Sequence, residues 1–302
     1  MIDFRNVDQW NIGNNEVKKA WLNGVLVWEK RDKTEPFYVE NITNSDETLT
    51  IKGSDRNPIE IQSSLNGTSW VSQGTTSTAT PITLTIIPGR KLYLRASTDR
   101  WGYDYWDYDQ HGDYLHFVGG TRIQGVSRVG GNIMSLLRGS SFTGNETSFP
   151  ANKSYIFFDL FLVNTALQDA HMLILPVTSL KESCYGNMFK GCTSLIEPPI
   201  LPATTLTSAC YEGMFEGCTS LVDTPVLPAT TLTVYCYRHM FYGCTSLNHI
   251  RCLATNISAT ECVMSWVNGV AANGTFIKNP NMSSWPSGDS GIPSGWTIQD
   301  AA

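Results

Sequence analysis

Cys184, Cys210, Cys236 and Cys262 stand 26 residues apart, and so do Cys192, Cys218 and Cys244. The same interval carries Tyr185/Tyr211/Tyr237, Met188/Met214/Met240, Phe189/Phe215/Phe241, Gly191/Gly217/Gly243 and Leu195/Leu221/Leu247. Leu180/Leu206/Leu232 and Leu175/Leu201/Leu227/Leu253 continue the pattern. The unit reads C-Y-x-x-M-F-x-G-C-T-S-L, a variable stretch, then L-P-A-T-T-L. A unit this short cannot bury its own apolar face, so successive copies must stack and share one interior.

Stacking turns each repeated column into a row along one axis. Ile174, Ile200, Val226 and Cys252 are expected to supply the inward strand position of each coil. The Tyr-x-x-Met-Phe segment has helix-like spacing and is expected to cover the opposite side. Pro202 and Pro228 end the strand, because proline cannot donate to a ladder. A degenerate first copy is visible in Phe161-Leu-Val-Asn164-Thr165-Ala-Leu167, and the last copy drifts where Ala254 replaces the proline. The Trp-rich tail, with Trp266, Phe276, Trp285, Ile292 and Trp296, reads as a C-terminal cap.

All eight cysteines lie between Cys184 and Cys262. Cys is small, apolar and readily buried, so Cys184, Cys192, Cys210, Cys218, Cys236, Cys244 and Cys262 read as a reduced structural ladder, with Cys252 an extra in the strand column. Stacked disulfides or a metal site are the alternatives, but no C-x-x-C pair exists. The five histidines lack zinc-site spacing. Neither a metal nor a cofactor is expected.

Upstream, Val17–Leu22, Asn23-Gly24 and Val25–Glu29 form a hairpin signal, since Asn-Gly supplies the positive φ angles of a tight turn. Six alternating stretches follow: Phe37–Asn41, Thr48–Lys52, Ile59–Gln62, Thr68–Val71, Ile82–Ile86 and Lys91–Arg95. They predict a small, Ig-like β-sandwich. Residues 99–115 alternate aromatics with aspartates. Trp101, Tyr103, Tyr105, Trp106, Tyr108 and Tyr114 are candidate binding residues there, against the plainer reading of a loop that packs its rings on the sandwich. Calcium at Asp107, Asp109 and Asp113 lacks the spaced ligands of a known loop. In the repeat, the columns Lys190/Glu216/Tyr242 and Asn187/Gly213/His239 vary too much to be core. Arg238, His239 and Tyr242 in the last copy are therefore a second candidate surface, the plainer reading being a solvated face.

Charged residues make up 16% of the 302, and the net charge is -6. No basic run stands out, which argues against a nucleic-acid partner, and no stretch approaches the length of a membrane helix. The opening residues lack a secretory signal pattern. No nucleophile elbow, P-loop, H-E-x-x-H or dinucleotide fingerprint occurs, so the chain is expected not to be an enzyme.

The repeat resembles the BspA-like leucine-rich repeats of treponemes and gut Bacteroides, through Met188-Phe189-Lys-Gly-Cys192-Thr-Ser-Leu195 and Ile200-Leu-Pro202. It departs from them in Met for Ala and in a longer unit. Similar arrays occur in bacteriophage fibre-like proteins, and the opening hairpin is similar to short N-terminal segments of phage tail proteins. The resemblance implies a mainly β chain with a repeat solenoid. Its expected parts are an N-terminal attachment hairpin (1–34), an Ig-like sandwich (35–140) and a short leucine-rich-repeat solenoid (141–302) with repeats at 184–261 and a cap at 262–302. It also implies adhesion rather than catalysis. The expected protein is a bacteriophage virion component, tail or head fibre-like, that recognises a host surface glycan or protein and joins other virion proteins through its N-terminal region. A bacterial BspA-like cell-surface adhesin is the alternative, and a polysaccharide-degrading enzyme the third. Self-association into a homo-oligomer is left open.

Overall fold

The computed structural model describes residues 30–53, 58–77, 79–96, 121–151 and 153–301, and the strand backbone alone for parts of 10–29 and for 103–104. The chain is mainly β. Two short hairpins lead it: β1 (Trp10–Ile12) with β2 (Asn15–Val17), and β3 (Lys19–Leu22) with β4 (Val25–Glu29). The second is the hairpin expected around Asn23-Gly24, whose turn residues lie outside the described residues.

Two open sheets follow. Strands β5 (Tyr38–Glu40), β6 (Glu47–Lys52), β7 (Glu60–Ser64), β8 (Val71–Thr75), β9 (Ile82–Ile86) and β10 (Lys91–Ala96) match five of the six predicted stretches closely. The strand expected at Thr68–Val71 starts only at Val71. Asn66 Oδ1 accepts the Thr68 and Ser69 N–H groups at 3.0 and 2.8 Å, so those donors close a turn rather than a ladder. β11 (Tyr103–Asp104) pairs with β14 (Lys153–Ser154), and β12 (Arg122–Gln124) joins β6 and β9 in a three-stranded sheet. β13 (Arg128–Asn132) leads to the short helix α1 (Met134–Arg138), and β15 is Asp169–Ile174. The larger sheet runs β15-β13-β5-β10-β7-β8. Phe37, Val39, Leu92, Leu94 and Ile61 from this sheet and Leu49, Ile51, Ile82 and Ile123 from the smaller one share one buried core.

The six-stranded sheet crosses the expected boundary at 140/141, because β15 belongs to the first, degenerate copy of the repeat and pairs in parallel with β13. The copies beyond it lie one on another. Phe161, Phe189, Phe215 and Phe241 form a row of stacked rings with centroids 5.2, 5.4 and 5.8 Å apart, and Phe37 of the sheet extends it at 6.1 Å. A second row runs Phe157, Tyr185, Tyr211, Tyr237 and Trp266 at 6.2, 5.8, 6.2 and 6.2 Å. Phe161 and Phe157 thus place the degenerate copy in register. Asn164 takes the place of the second cysteine and turns toward the loop after β12, accepting the Gly125 N–H at 3.1 Å.

The Tyr-x-x-Met-Phe segment is not a helix. Alternate N–H groups (Cys184, Gly186, Met188, Lys190) bond three residues back, forming consecutive turns. The others (Tyr185, Asn187, Phe189, Gly191) donate across to Cys210, Glu212, Met214 and Glu216 of the next copy at 2.7–3.0 Å. A helix would return every N–H to its own strand of chain. This ribbon needs a positive φ at every fourth residue: Ser183, Ala209, Tyr235 and Glu261; Asn187, Gly213, His239 and Ser265; Gly191, Gly217, Gly243 and Gly269. Left-handed backbone costs a non-Gly residue about 1–2 kcal/mol, which the lateral bonds offset.

The strand side differs from expectation too. Of the expected inward row, Ile174 and Cys252 are buried, but Ile200 and Val226 are half-buried, and in the middle copies the buried position is the next one, Leu201 and Leu227. Leu227 bridges Cys252, a spacing one residue short of the repeat, so Ala254 belongs with buried Ala203 and Ala229 rather than with the prolines. Pro198, Pro199 and Pro225 remove donors in the middle copies, which are joined by isolated bridges. Regular pairing resumes in β16 (His249–Cys252), β17 (Thr275–Lys278) and β18 (Thr297–Asp300), all parallel. At the C-terminal end Trp266 is fully buried, stacks on Trp285 at 5.7 Å and donates its Nε1–H to the Gly291 carbonyl at 2.8 Å.

All eight cysteines are buried and unbridged. Cys192, Cys218 and Cys244 donate to the Phe161, Phe189 and Phe215 carbonyls at 3.1, 3.1 and 3.0 Å. Burial pushes the Cys184, Cys192, Cys236, Cys244 and Cys252 thiols up to about 12. Two outcomes follow. A thiol reagent at pH about 8 should label none of the eight in the native protein and all of them in denaturant. Phe215→Ala should lower unfolding free energy by about 3–5 kcal/mol in denaturant titration, because its neighbours on both sides lose a packed ring.

Candidate functional site

Strands alternate their side chains, so the residues between the core positions of the six-stranded sheet all point to its other face. Those residues are Tyr38 and Glu40 on β5, Lys91, Tyr93 and Arg95 on β10, Gln62 on β7, and Arg128 on β13. All of them except Gln62, which lies behind Arg95, line an open cleft of 820 Å³, with the β7–β8 turn (Asn66, Thr68, Trp70) at one end and His171 of β15 at the other. Ser135, Ser140 and Phe142 close it from the α1 side.

The register builds the floor. Lys91 faces Glu40 across β10–β5, and Arg128 faces Glu40 across β13–β5. Tyr93 faces Tyr38, and their rings meet edge to face at 5.9 Å. Gly130 faces Tyr38 on its other side, and a Cβ there would lie 2.3 Å from the Tyr38 ring carbon and hydroxyl. Glycine at 130 therefore lets this ring lie flat across β13.

The charges are largely matched. Lys91 Nζ sits 2.8 Å from Glu35 Oε1 and 3.7 Å above the Tyr38 ring. Tyr93 donates its hydroxyl to the same Glu35 oxygen at 3.0 Å. Arg128 bonds Asp169 at 2.9 Å and Glu40 at 3.2 Å. His171 Nδ1 lies 2.6 Å from Asp169 Oδ1 two residues away on β15, and His249 meets Asp223 of the preceding copy at 2.6 Å. Arg95 packs its guanidinium carbon 4.3 Å from the centre of the Trp70 ring and donates Nε–H to Gln62 at 2.7 Å. Burial and the nearby Glu35 carboxylate raise the Tyr93 hydroxyl to about 12, so it remains a donor at neutral pH.

The residues singled out in the sequence lie elsewhere. Trp101, Tyr105, Trp106, Tyr108 and Tyr114, with the aspartates 107, 109 and 113, lie outside the described residues, and for Tyr103 only its strand pairing with Ser154 is described. Arg238, His239 and Tyr242 do come together on the turn ribbon. Arg238 lies 3.7 Å from both Glu212 and Glu261 and over the Tyr235 ring, and His239 meets the exposed Tyr242 edge to face at 5.7 Å. In the neighbouring column Lys190 pairs with Glu216 at 3.0 Å. His239 and Asn187 are half-buried and Gly213 is buried, so this column is less exposed than its sequence variation suggested. Among the described residues no group of three or more His, Cys, Asp or Glu is placed to hold a metal ion, and no helix is long and apolar enough to cross a membrane.

The cleft was missed at the sequence level, although its signal was present. Tyr38/Glu40 and Lys91/Tyr93/Arg95 alternate with Phe37/Val39 and Leu92/Leu94/Ala96, which leaves large aromatic and charged groups on the face away from the core. Comparison with protein-family models, with curated proteins and with solved structures gives no match.

Burial raises the Asp169 carboxyl, but hydrogen bonds and charge from His171 together with Arg128 outweigh this and hold it below its ordinary value of 3.8. A depressed folded-state pKa means stability that is present above the unfolded value and lost as pH falls through the folded one. Asp169→Asn should therefore cost about 1–3 kcal/mol at pH about 7. In denaturant titrations the gap to the parent protein should close as pH is lowered below 3.8.

Proposed function

We propose that this chain is a non-catalytic surface-recognition protein. In this reading an Ig-like sandwich is joined to a short leucine-rich-repeat solenoid of the BspA-like type. The protein is carried on a bacteriophage virion as a tail or head fibre-like component and binds a glycan or protein on the host cell surface, with its N-terminal region meeting other virion proteins. The observation that carries the reading is the cleft. Aromatic rings and charged groups from four adjacent strands converge on the open face of a sheet whose other face is core, and rigid elements hold them in place.

The solenoid assignment draws support from the side-chain rows and lateral hydrogen bonds, which repeat from copy to copy. The non-catalytic reading draws support from the state of the reactive groups. The thiols are buried in the neutral form, and Glu35, Glu40 and Asp169 are each committed to a cation, whereas glycoside hydrolysis needs one carboxyl kept free as an acid. Location on a virion rests on the likeness of the repeat and the opening hairpin to phage fibre-like proteins. Location on a bacterial surface, as a BspA-like adhesin, rests on the same repeat.

Fractionation with an antibody to the chain tests both parts. The chain is expected in purified virions, and the purified protein should bind host cells saturably, with excess unlabelled protein competing. Detection in the cell envelope of uninfected bacteria would favour the adhesin. Absence of saturable binding to any host cell would end the recognition reading.

A further inference from the structure

The cleft contains one cation unlike its neighbours. Lys91 has Glu35, and Arg128 has Asp169 and Glu40, but Arg95 has no carboxylate within ion-pair distance among the described residues. Its position is nevertheless defined. Gln62 takes the Nε–H at 2.7 Å, and Trp70 lies against the guanidinium plane. Both terminal amino groups are left without a protein acceptor among the described residues. A planar fork held from behind, with its two outer nitrogens open, matches the two oxygens of a carboxylate. Burial lowers the Arg95 pKa, and no charged neighbour among the described residues counters it, so a bound anion would relieve that desolvation.

The surroundings narrow the ligand further. Asp32, Glu35 and Glu40 line the cleft together with Asn66, Thr68 and Ser140. Carboxylates, amides and hydroxyls in this density bond the hydroxyls of a polyol, and aromatic rings present flat apolar faces beside them. The three carboxylates nearly balance the lining cations, which disfavours a polyphosphate backbone. The floor is the face of a sheet and offers no free backbone edge, which disfavours strand addition by a peptide. At 820 Å³ the cleft has room for a short oligosaccharide.

We infer that the cleft binds an acidic glycan, with Arg95 taking the sugar carboxylate and Trp70 packing beside it. The inference rests on the recognition reading above and adds the ligand class and the residue that selects it.

Calorimetric titration of the full chain tests it. The probes are oligogalacturonates, sialylated oligosaccharides and hyaluronan fragments, each beside its neutral methyl ester, plus a glutamate-rich peptide. At least one acid form should bind, its ester at least about tenfold more weakly, with affinity falling as salt rises. Arg95→Gln should weaken the acid form by about tenfold or more, and Arg95→Lys by less, because the ammonium keeps the charge but not the fork. Both variants should melt close to the parent protein, since Arg95 is half-buried, anchors no ion pair among the described residues and gives up one hydrogen bond and one ring contact at the surface. Equal binding of acid and ester, an unaffected Arg95→Gln, preference for the peptide, or no binding by any probe would each overturn the acidic-glycan inference. The recognition reading is judged separately, by the whole-cell binding above, which survives all four of those results if it is right.

Discussion

Every second N–H of the turn ribbon leaves its own chain segment and bonds the next copy, and the rest of the repeat region follows from that division. Lateral bonding sets the separation of the copies, and that separation brings Phe on Phe and Tyr on Tyr at 5.2–6.2 Å. It also requires a left-handed residue at every fourth position. Gly191, Gly217, Gly243 and Gly269 adopt it freely, while Ser183, Tyr235 and His239 are held in it by bonds on either side. A copy removed from the stack would keep the strain and lose the bonds, which is why the copies fold as an array.

The same logic joins the array to the two open sheets. Phe37 enters the phenylalanine row, Asn164 replaces a thiol at the junction and accepts the Gly125 N–H, and β15 serves both as the first strand of the array and as the edge of the six-stranded sheet. One apolar core runs through both parts. The cleft inherits its rigidity from this arrangement: its floor is central sheet, and its His171 end is built by the first copy of the repeat. Asp–His contacts occur at both places by different routes, within β15 for Asp169 and His171 and between neighbouring copies for Asp223 and His249.

Much of this was legible in the residues, and where it was not, the reason is local. Columns 26 residues apart announced the rows and the buried thiols, because periodic identity reports stacking without any knowledge of backbone path. The ribbon was misread as helix, since Tyr-x-x-Met-Phe places apolar groups at helical intervals in either conformation, and only the destination of the N–H groups separates the two. Likewise the inward strand row is one residue off in the two middle copies, since Ile200 and Leu201, or Val226 and Leu227, are equally apolar and only the backbone path decides which faces the core. The chemistry of the cleft is written in plain alternation in β5 and β10, a weaker signal than the dense aromatics of residues 99–115 because it shows only once the sheet gives the strands a common outer face.

What the amino-acid order determined by itself is therefore the period, the apolar rows and the two-residue alternation of the sheet strands, since each is a short-range pattern that survives whatever the partners are. Tertiary structure alone decided which strands became neighbours. Lys91, Glu40, Arg128 and Asp169 form one line of charge only because β10, β5, β13 and β15 lie side by side. Arg95 stands apart from that line because β7 gives it an uncharged glutamine and the turn beyond gives it a tryptophan. Pairing across tens of residues depends on which sheet each strand joins, and no local pattern carries that information.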